Sequence, residues 1–390
     1  MAQESISIFN KSIAIIGGGP AGCTCAKFLQ NFGANEICVF DYDKPLRTLL
    51  PTGGGRCNIS NSIYDFKELS ENYPRGEKFL YSVFSKFGVE NTLEFFKYIG
   101  IDTYIQEDNR IFPKSNSAKD VREKILNSLD CNFIKEKVEN ITPLENRYKI
   151  VTNKSSYAFD ILVIAIGGHA GFSIFKKLGI NIIEPTPALV GFYTKENFSD
   201  IAGVAIKNVR IDSLQGDIIF THKGISGPLI YTISSIYARK NMPYELSIEL
   251  ATIDNLQEEL NKNPHKEVKN LIGNYIPKSL SEHILNTLNI QPETKCHAID
   301  KKTREVIKEN IEHFKITVIK KVPDGEVVTC GGVDLKEVNP KTLEFKSYPN
   351  LYCCGEVLDI DGFCGGFNLQ NCWSGAFIVA DAIRCKENLH

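Results

Sequence analysis

The segment that most constrains this chain is Ile13–Gly22, with the sequence IAIIGGGPAG. Its first four residues are apolar and predict a short buried strand. Gly17, Gly19 and Gly22 follow with the spacing G-x-G-x-x-G, and a largely apolar segment typical of a helix comes next. The first glycine permits a tight turn, the second lets backbone N–H groups approach a diphosphate, and the third allows the helix to pack closely on the strand. We expect a diphosphate at this helix N-terminus, where unpaired N–H groups favour an anion.

The neighbouring sequence supplies the context that this motif needs. A second apolar run, Ile37–Phe40, predicts another strand and is followed by Asp41, nineteen residues after Gly22. A carboxylate at about this distance binds the ribose hydroxyl groups in dinucleotide sites. The alternative is a glycine-rich turn of purely structural use. The combination of both strands, the glycines and the acid favours a dinucleotide site.

Length and charge limit the classes of protein to consider. A chain of 390 residues is too long for one ordinary core, which predicts two or three domains. The net charge of −2 provides no long-range attraction to nucleic acid or to anionic membranes, and we expect neither as a partner. The first residues lack the basic and apolar regions of a signal peptide. We therefore expect a cytoplasmic protein.

The twelve cysteines do not have the spacing of a metal site. There is no C-x-x-C pair, which argues against a zinc ribbon, and no C-x-x-x-x-C of the kind found in disulfide reductases. Cys38, Cys353 and Cys354 lie in apolar runs and are interpreted as small core residues. Cys57 and Cys364 lie in glycine-rich loops, and we consider only these two as cysteines near the chemistry.

A second glycine-rich segment, Leu49–Asn61, has the sequence LLPTGGGRCNISN. Three consecutive glycines suit neither a helix nor a strand interior, but they suit a backbone that contacts a flat or anionic ligand. Arg56, which follows them, could pair with a phosphate or a carboxylate, or could hold the loop in place. The segment therefore predicts ligand contact.

Periodicity predicts the remaining elements. Residues 78–99 and Ala118–Leu129 are predicted helical, and Asp102–Pro113 is predicted to be a hairpin. The predicted strands of this first fold are Phe133–Ile141, Tyr148–Val151, Ile161–Ile166, Val327–Cys330 and Leu351–Cys354. A helix is predicted over Asn368–Ala382.

The middle of the chain has a different pattern of apolar and polar residues. From Leu189 onward, short alternating segments predict antiparallel strands, and Ser226-Gly227-Pro228 predicts a helix start. Residues 254–314 are predicted helical, with Ser279 and Glu282 as a capping box and Ile307, Ile311 and Phe314 as an apolar stripe. We predict a discontinuous dinucleotide domain (1–188 and 324–390), an inserted β-rich domain (189–253 and 315–323) and a helical subdomain (254–314).

A third glycine-rich segment, Gly355–Gln370, has the sequence GEVLDIDGFCGGFNLQ and follows a predicted strand of the first sheet. A helix that begins near Gly366 would direct N–H groups at the pyrimidine edge of a flavin and stabilise the negative charge of the reduced ring. A ligand held at Gly17–Gly22 and again at Gly355–Gly366 must be long. These positions favour FAD over NAD. There is no second G-x-G-x-x-G, so NAD(P)H is considered only as a transient electron donor.

Several of these segments together resemble the bacterial NAD(P)/FAD-dependent oxidoreductase family, whose members have names such as aminoacetone oxidase and 3-dehydro-bile-acid reductase. The resemblance rests on GGGPAG, GGGRCNISN, NRIFPKSNSA, FTHKGISGP, TCGGVDLKEVNPKT and GEVLDIDGFCGGFNLQ, which extend over nearly the whole chain. It implies an α/β, two-dinucleotide-binding-domain (Rossmann-like) flavoprotein with an inserted β-barrel-like domain and a small helical domain.

The resemblance also implies a set of FAD contacts. They are Gly17, Gly18, Gly19, Pro20, Ala21, Gly22, Asp41, Tyr42, Arg47, Gly55, Arg56, Cys57, Asn58, Val138, Gly167, Gly355, Glu356, Asp359, Gly366, Phe367, Asn368 and Leu369.

Two segments depart from the family pattern. The family has Arg-Lys ahead of its GGGRCN loop, where this chain has Arg47-Thr48. After Gly167-Gly168 the family has a longer glycine-containing loop, which residues 169–172 replace here. If that loop shapes the substrate cavity, the cavity of this protein is more open or differently lined, so the substrate of a named relative cannot be assumed.

The sequence therefore predicts an FAD-dependent oxidoreductase that transfers hydride between a small-molecule substrate and flavin N5, with oxygen, NAD(P) or another acceptor reoxidising the flavin. One alternative is a non-catalytic flavin-binding protein with a regulatory or scaffolding role. Another is an RNA-modifying flavoenzyme, against which the near-neutral charge and the lack of interleaved Arg and aromatic residues argue. His169, His222, Glu356 and Asp361 are candidate acids or bases, but no spacing assigns the role. The sequence predicts no metal and assigns no oligomeric state.

Overall fold

The computed structural model describes residues 11–168, 171–322 and 328–387. The chain divides into two compact units, one of Met1–Thr186 with Val328–His390 and the other of Pro187–Val327. The domain boundaries predicted above, including a separate helical subdomain, stay a prediction.

The first unit is built on a five-stranded parallel sheet with the strand order β19-β10-β1-β2-β6. Short apolar runs form its strands because both faces are covered, and all four residues of β1 and of β10 are buried. The strands are β1 (Ile13–Ile16), β2 (Ile37–Phe40), β6 (Asn132–Ile134), β10 (Ile161–Ile164) and β19 (Leu351–Cys353).

Three smaller sheets complete the strands of this unit. One contains β3 (Ser60–Asn61), β5 (Arg110–Pro113) and β4 (Thr103–Ile105), and another contains β7 (Val138–Pro143), β8 (Tyr148–Thr152) and β9 (Ser156–Phe159). The third pairs β11 (Ile182–Ala188) with β18 (Val328–Val333).

Helices surround the parallel sheet. They are α1 (Pro20–Asn31), α2 (Thr52–Gly55, a single distorted turn), α3 (Phe66–Ser70), α4 (Glu77–Phe84), α5 (Val89–Tyr98), α6 (Ala118–Asn127), α7 (Ser173–Lys176) and α13 (Phe367–Glu387). The longest, α13, packs against α1, and its Trp373 is fully buried with the indole N–H donating to the Ile59 carbonyl at 3.0 Å.

The second unit contains a six-stranded antiparallel sheet with the order β13-β14-β15-β12-β17-β16. The sheet curls until its two edge strands meet. The contact consists of two backbone hydrogen bonds, of 3.0 and 2.9 Å, between Arg210 of β13 and Glu249 just beyond β16. The strands are β12 (Phe192–Thr194), β13 (Ala205–Ile211), β14 (Leu214–Thr221), β15 (Gly224–Ser226), β16 (Tyr244–Ile248) and β17 (Phe314–Lys321).

The helices of the second unit share its apolar core. They are α8 (Pro228–Ile236), α9 (Leu256–Lys262), α10 (Val268–Ile272), α11 (Lys278–Thr287) and α12 (Lys301–Glu312). The fold class predicted from the sequence is confirmed, with a Rossmann-like parallel sheet and a curled antiparallel sheet in one chain. The predicted helix start at Ser226-Gly227-Pro228 is confirmed too, since Gly227 is the N-cap of α8.

Some local predictions were wrong. Phe133–Ile141 is two strands, because the chain turns at Glu136, whose N–H donates to Ile134. By contrast, the predicted strand Val327–Cys330 corresponds to β18 (Val328–Val333), which belongs to the first unit as predicted and pairs with β11; Val327 itself lies outside the described residues.

The predicted capping box is wrong because α11 begins at Lys278 with Pro277 as its N-cap, which places Ser279 inside the first turn. Phe314 begins β17 and does not extend the helical stripe of Ile307 and Ile311.

Candidate functional site

The first glycine loop has the geometry that its sequence predicts. Gly17 has a φ of +109°, and a Cβ there would lie 2.2 Å from the Ala165 carbonyl oxygen. A Cβ at Gly22 would lie 1.9 Å from the Gly17 carbonyl oxygen. Between them, the Gly18 N–H donates to Asp41 Oδ2 at 2.7 Å. Larger residues would break the turn, which is thus specific to glycine at 17 and 22.

The N-terminus of α1 is open. Gly19 is its N-cap with no side-chain hydrogen bond, and Pro20 occupies the first helical position. A Cβ at Gly19 would meet only Thr48 Oγ1, 4.0 Å away. A cavity of about 510 Å³ lies beside Arg47, Thr48, Leu50 and Pro51. The first N–H groups of a helix have no intrahelical acceptor, so this end suits a diphosphate.

A second, smaller cavity of about 140 Å³ lies at the carboxyl end of β2. Its lining comprises Val39, Asp41, Asp43, Lys44, Pro45, Phe133, Ile134 and Lys135. Asp41 Oδ1 accepts the Asp43 N–H at 2.9 Å, and each carboxylate oxygen retains a lone pair for a ribose hydroxyl. Tyr42 is exposed, and Arg47 pairs with Asp43 at 2.8 Å. The carboxylate of Asp41 at this cavity suits the ribose of a dinucleotide.

Val138 is the first residue of β7. It pairs with Thr152 of β8 next to a β-bulge. The contact between Val138 and the cofactor stays a prediction.

The middle glycine loop adopts left-handed backbone at Gly53, Gly54 and Gly55, with φ values of +58°, +68° and +86°. A Cβ at Gly53 would lie 2.8 Å from the Phe112 ring, whereas Gly54 faces open space. The Arg56 guanidinium stacks on the same ring, with Cζ 4.1 Å from the ring centroid. The loop therefore presents bare backbone and one cation, as the sequence predicts for ligand contact.

Cys57 and Asn58 turn away from this surface. Cys57 is fully buried with a φ of +65°, and burial raises the pKa of its thiol to about 12, although a hydrogen bond with Thr52 opposes the shift. With its amide oriented to satisfy its neighbours, Asn58 accepts the Gly366 N–H at 2.9 Å and donates to Ser60 and Ile111 carbonyls. Cys57 is a core residue, and Asn58 ties the middle loop to the last one.

The last glycine-rich segment, Gly355–Gln370, lies against the first. Gly355 has a φ of +81°, and a Cβ there would lie 2.8 Å from the Cβ of Ala21. Glu356 Oε1 accepts the Thr329 N–H at 2.8 Å, and its other carboxylate oxygen would lie 3.9 Å from a Cβ at Gly167. The tertiary structure thus brings the ends of β1, β10 and β19 to one place.

The loop before α13 is held rigidly. Asn368 both accepts from the Gly362 N–H at 2.8 Å and donates to the Gly362 carbonyl at 2.7 Å. A Cβ at Gly366 would lie 2.4 Å from the Ser60 carbonyl oxygen. The helix begins at Phe367, so the N–H groups of Phe367, Asn368 and Leu369 are first-turn donors without an intrahelical acceptor. The prediction of a helix N-terminus near Gly366 is confirmed.

Asp359 lies between these two parts of the segment. Its N–H donates to the Val333 carbonyl at 3.0 Å, which fixes the chain between Gly355 and the loop.

The candidate acids and bases have different surroundings. Asp361 is completely buried and forms a two-contact ion pair with Arg75. Glu356 is bound to the β18 backbone as described above. His222 lies in the exposed turn between β14 and β15. His169 lies outside the described residues, as does Ala170 of the shortened loop. Asp361 is therefore a structural charge.

Sequence reasoning missed two side chains that the tertiary structure adds to the site. Phe112 supports both Gly53 and Arg56, and Tyr73 donates its buried hydroxyl hydrogen to the Phe367 carbonyl at 2.6 Å. Phe112 lies within the NRIFPKSNSA segment, which carries part of the family resemblance and could have indicated this residue. No sequence pattern indicated Tyr73.

Taken together, the residues fit FAD. The first unit contains the N-termini of α1 and α13, a pocket beside Asp41 and several glycines at which a Cβ atom would clash with neighbouring atoms or occupy the site. Gly17–Gly22 and Gly355 would hold the diphosphate, Asp41 the ribose, and the start of α13 with Arg56 the flavin. In the described part of the chain, no group of three or more His, Cys, Asp or Glu side chains could hold a metal ion.

Comparison with known proteins agrees with this geometry. The family described as HI0933-like protein Rossmann domain matches residues 11–382. A protein of Escherichia coli named ribosomal RNA dihydrouridine synthase is 27% identical over 96% of this chain and 98% of its own length. A protein of Haemophilus influenzae with the same name is 28% identical, over 95% and 97%. A 3-dehydro-bile acid delta(4,6)-reductase of Clostridium scindens is 26% identical, over 95% and 98%.

Solved structures show the same fold. A flavocytochrome c3 fumarate reductase in an open conformation is similar with a TM-score of 0.50 and 12% identity, over 97% of this chain and 79% of its own. The 3-ketosteroid delta1-dehydrogenase of Sterolibacterium denitrificans has a TM-score of 0.51 and 10% identity, over 96% and 99%. Among the helices that the structure describes, none is long and apolar enough to cross a membrane.

Proposed function

The chain belongs to the HI0933-like family of Rossmann-fold flavoproteins, and from this premise we propose that it is an FAD-dependent oxidoreductase that reduces a carbon–carbon double bond conjugated with a carbonyl group. The observation that carries the proposal is the meeting of three glycine-rich segments in one unit. Gly355 contacts Ala21 of the first segment, and Gly366 is hydrogen-bonded to Asn58 of the second. Such an arrangement suits a cofactor bound along its length.

The names of two relatives indicate the type of bond. Dihydrouridine differs from uridine by two hydrogens across a ring double bond conjugated with a carbonyl group. The double bonds in the name 3-dehydro-bile acid delta(4,6)-reductase are likewise conjugated with the 3-oxo group. Bound FAD would supply a hydride from N5 in either case. The shared chemistry supports the bond type and leaves the rest of the substrate open.

The chain's own residues would have three tasks. The N-terminus of α1 would bind the diphosphate and the N-terminus of α13 the flavin, each through backbone N–H groups. The left-handed glycines at Gly53–Gly55 let the backbone approach the ring, and the Arg56 cation stacked on Phe112 lies at the same loop. A cation there would stabilise a negative charge on reduced flavin or on the substrate.

The test begins with the purified protein. We expect a yellow protein, or one that takes up FAD, whose absorbance near about 450 nm is lost on anaerobic reduction. The reduced protein is then mixed with cyclohex-2-enone, with a 4-en-3-one steroid and with oxygen. Return of the absorbance with the enones supports the proposal. A colourless protein that takes up no FAD would contradict it, and reoxidation by oxygen alone would favour an oxidase.

The electron donor is tested in the same apparatus. NADH and NADPH are mixed anaerobically with the oxidised protein, and loss of the flavin absorbance with either assigns a nicotinamide nucleotide as the donor. Bound FAD that no donor or acceptor turns over would favour the regulatory alternative.

A second candidate function is reduction of uridine in ribosomal RNA, which the full-length similarity to the Escherichia coli and Haemophilus influenzae proteins favours. The net charge of −2 argues against strong binding to RNA. Reduced protein is incubated with ribosomal RNA, and nucleosides are analysed by mass spectrometry. A uridine that gains two hydrogens would support this candidate, and unchanged RNA with turnover of a small enone would exclude it.

A further inference from the structure

The loop between β19 and α13 presents one exposed thiol. Of the twelve cysteines, only Cys364 and Cys385 are exposed. Cys385 lies in the last turn of α13, whereas Cys364 lies three residues before its start. The two cysteines that the sequence analysis considered near the chemistry therefore differ in exposure, because Cys57 is fully buried and Cys364 is exposed. Cys364 is the thiol that a ligand at the start of α13 could reach.

Hydrogen bonds hold the backbone on both sides of Cys364. Gly362 is bound twice by Asn368, as described above, and the Phe363 N–H donates to the Asn72 carbonyl at 3.0 Å. On the other side, the Asn61 amide donates to the Gly365 carbonyl at 3.3 Å. Cys364 is therefore an exposed residue within a tightly held turn, a suitable position for a reacting group.

The surroundings contain an unsatisfied acceptor. Asn61 is 6% exposed, and its Oδ1 is buried with no hydrogen-bond partner among the described residues. A buried acceptor without a partner is unfavourable, so a donor from a bound ligand would stabilise it. The first-turn N–H groups of α13 are unpaired donors beside the same loop. Both observations indicate that a polar ligand completes this part of the site.

Arg110 supplies a cation near this loop. It is the strand partner of Asn61 across β3 and β5, and Asn61 in turn donates to the carbonyl of Gly365, the residue after Cys364. Asp108 binds Arg110 at Nε (2.7 Å) and at Nη2 (2.5 Å). Since a guanidinium carries five N–H donors, others remain for a ligand oxygen.

We propose that Cys364 is the proton donor of the reduction and that Arg110 binds the carbonyl oxygen of the substrate. This inference rests on the proposed function. Bound reduced FAD would supply the hydride that forms the C–H bond at the β-carbon, and Arg110 would stabilise the negative charge that the displaced π electrons bring to the carbonyl oxygen. The α-carbon then takes the proton of Cys364 Sγ–H, and the thiolate regains a proton from water. The substrate gains two hydrogens, and the flavin loses two electrons.

The protonation state agrees with this role. Desolvation by surrounding protein atoms raises the pKa of the Cys364 thiol, and Arg110 opposes the increase without cancelling it. The thiol is therefore protonated at neutral pH and has a proton to give.

The first experiment places the thiol without using turnover. Protein with and without FAD is treated with N-ethylmaleimide, and the labelled peptides are quantified by mass spectrometry. We expect FAD to slow labelling of Cys364 at least tenfold and to leave Cys385 unchanged, because Cys385 lies at the other end of a 21-residue helix. Equal labelling of Cys364 in both states would overturn the placement.

The second experiment tests the proton. Cys364→Ala, Cys364→Ser and the control Cys385→Ala are reduced anaerobically with dithionite and mixed with the enone that reoxidises the parent protein fastest. We expect Cys364→Ala to be slowed about 10²- to 10⁴-fold, the usual contribution of a general acid, with an unchanged FAD spectrum. Cys364→Ser should retain part of the rate. The parent rate should fall as pH rises through the thiol pKa, and the Cys364→Ala rate should not.

The outcomes separate the two proposals. No reoxidation of the parent protein by any enone would refute the proposed function. Reoxidation of the parent together with an equal rate and pH profile for Cys364→Ala would leave the proposed function standing and overturn the role of Cys364.

Discussion

Gly355 lies against Ala21 so closely that a Cβ at position 355 would be 2.8 Å from the Ala21 Cβ. The two residues come from opposite ends of the chain, one from the loop after β19 and the other from the first turn of α1. This contact joins the first and last glycine-rich segments into one surface, and the absence of a side chain at residue 355 makes the contact possible.

The first prediction concerns that contact. Gly355→Ala should lower the free energy of unfolding by about 2–4 kcal/mol, because it adds a left-handed alanine and an overpacked methyl group. Gly179→Ala is the matched control, since Gly179 also has a positive φ, of +64°, but nothing within 4 Å of its Cβ position. It should cost only about 1–2 kcal/mol. Urea denaturation of the FAD-free proteins measures both, and equal losses would contradict the role of the contact.

Gly19→Ala separates binding from folding. Gly19 has a φ of −77°, which alanine tolerates, and its Cβ would meet only Thr48 at 4.0 Å. The change should leave stability within about 1 kcal/mol but place a methyl group at the open N-terminus of α1. We expect at least a tenfold loss of FAD affinity, measured by fluorescence titration. Unchanged FAD affinity would indicate that the diphosphate does not bind at this helix N-terminus.

Asn58 links the middle and last loops. Asn58→Leu removes the acceptor for the Gly366 N–H and the donor for the Ser60 and Ile111 carbonyls. Because residue 58 is buried, the groups left behind lose their partners, and we expect a loss of about 2–4 kcal/mol. Asn58→Asp keeps an acceptor for Gly366 but turns a carboxylate oxygen toward the Ser60 and Ile111 carbonyls, so we expect it to be at least as destabilising as Asn58→Leu. Urea denaturation measures both losses, and a leucine variant as stable as the parent protein would contradict the link.

The buried pair of Arg75 and Asp361 should be far more important for stability than the exposed pair of Arg110 and Asp108. Asp361→Asn leaves a largely buried guanidinium without its counter-charge, for which we expect a loss of about 3–5 kcal/mol. Asp108 is about half exposed, and Asp108→Asn should cost about 0–1 kcal/mol. Thermal unfolding of both variants checks the difference. A small effect at Asp361 would reopen its candidacy as an acid or base.

Asp160 gives a dependence of stability on pH. Burial raises the pKa of this carboxyl, but hydrogen bonds from Ser12 and the charge of Arg147 outweigh it, so the pKa is lowered overall. A lowered pKa in the folded state gives stability that is present above the unfolded-state pKa, about 3.9, and is lost as the pH falls through the folded value. Asp160→Asn should therefore destabilise the protein at pH 7 and much less near pH 3. An equal loss at both pH values would contradict the charge-dependent contribution.

Local spacing was enough to predict several features of the fold. The apolar run before Gly17 predicted β1, and Gly17 and Gly22 predicted a turn that admits no larger residue, because these effects act within one strand–turn–helix unit. The capping box at Ser279 failed because two positions with the right spacing cannot reveal that Pro277 begins the helix.

Only the tertiary structure decided which of the candidate residues belong together. By sequence Asp361 is a candidate acid, but the tertiary structure pairs it with Arg75, which is far away along the chain. Cys57 and Cys364 occur in similar glycine-rich loops, yet one is buried and the other exposed. Burial and charge pairing depend on contacts between distant segments, and spacing along the chain carries no information about them. The sequence by itself determined the strand–turn–helix geometry of the first loop and predicted a dinucleotide there, whereas packing of the last loop against Ala21 determined the extent of the surface proposed to hold it.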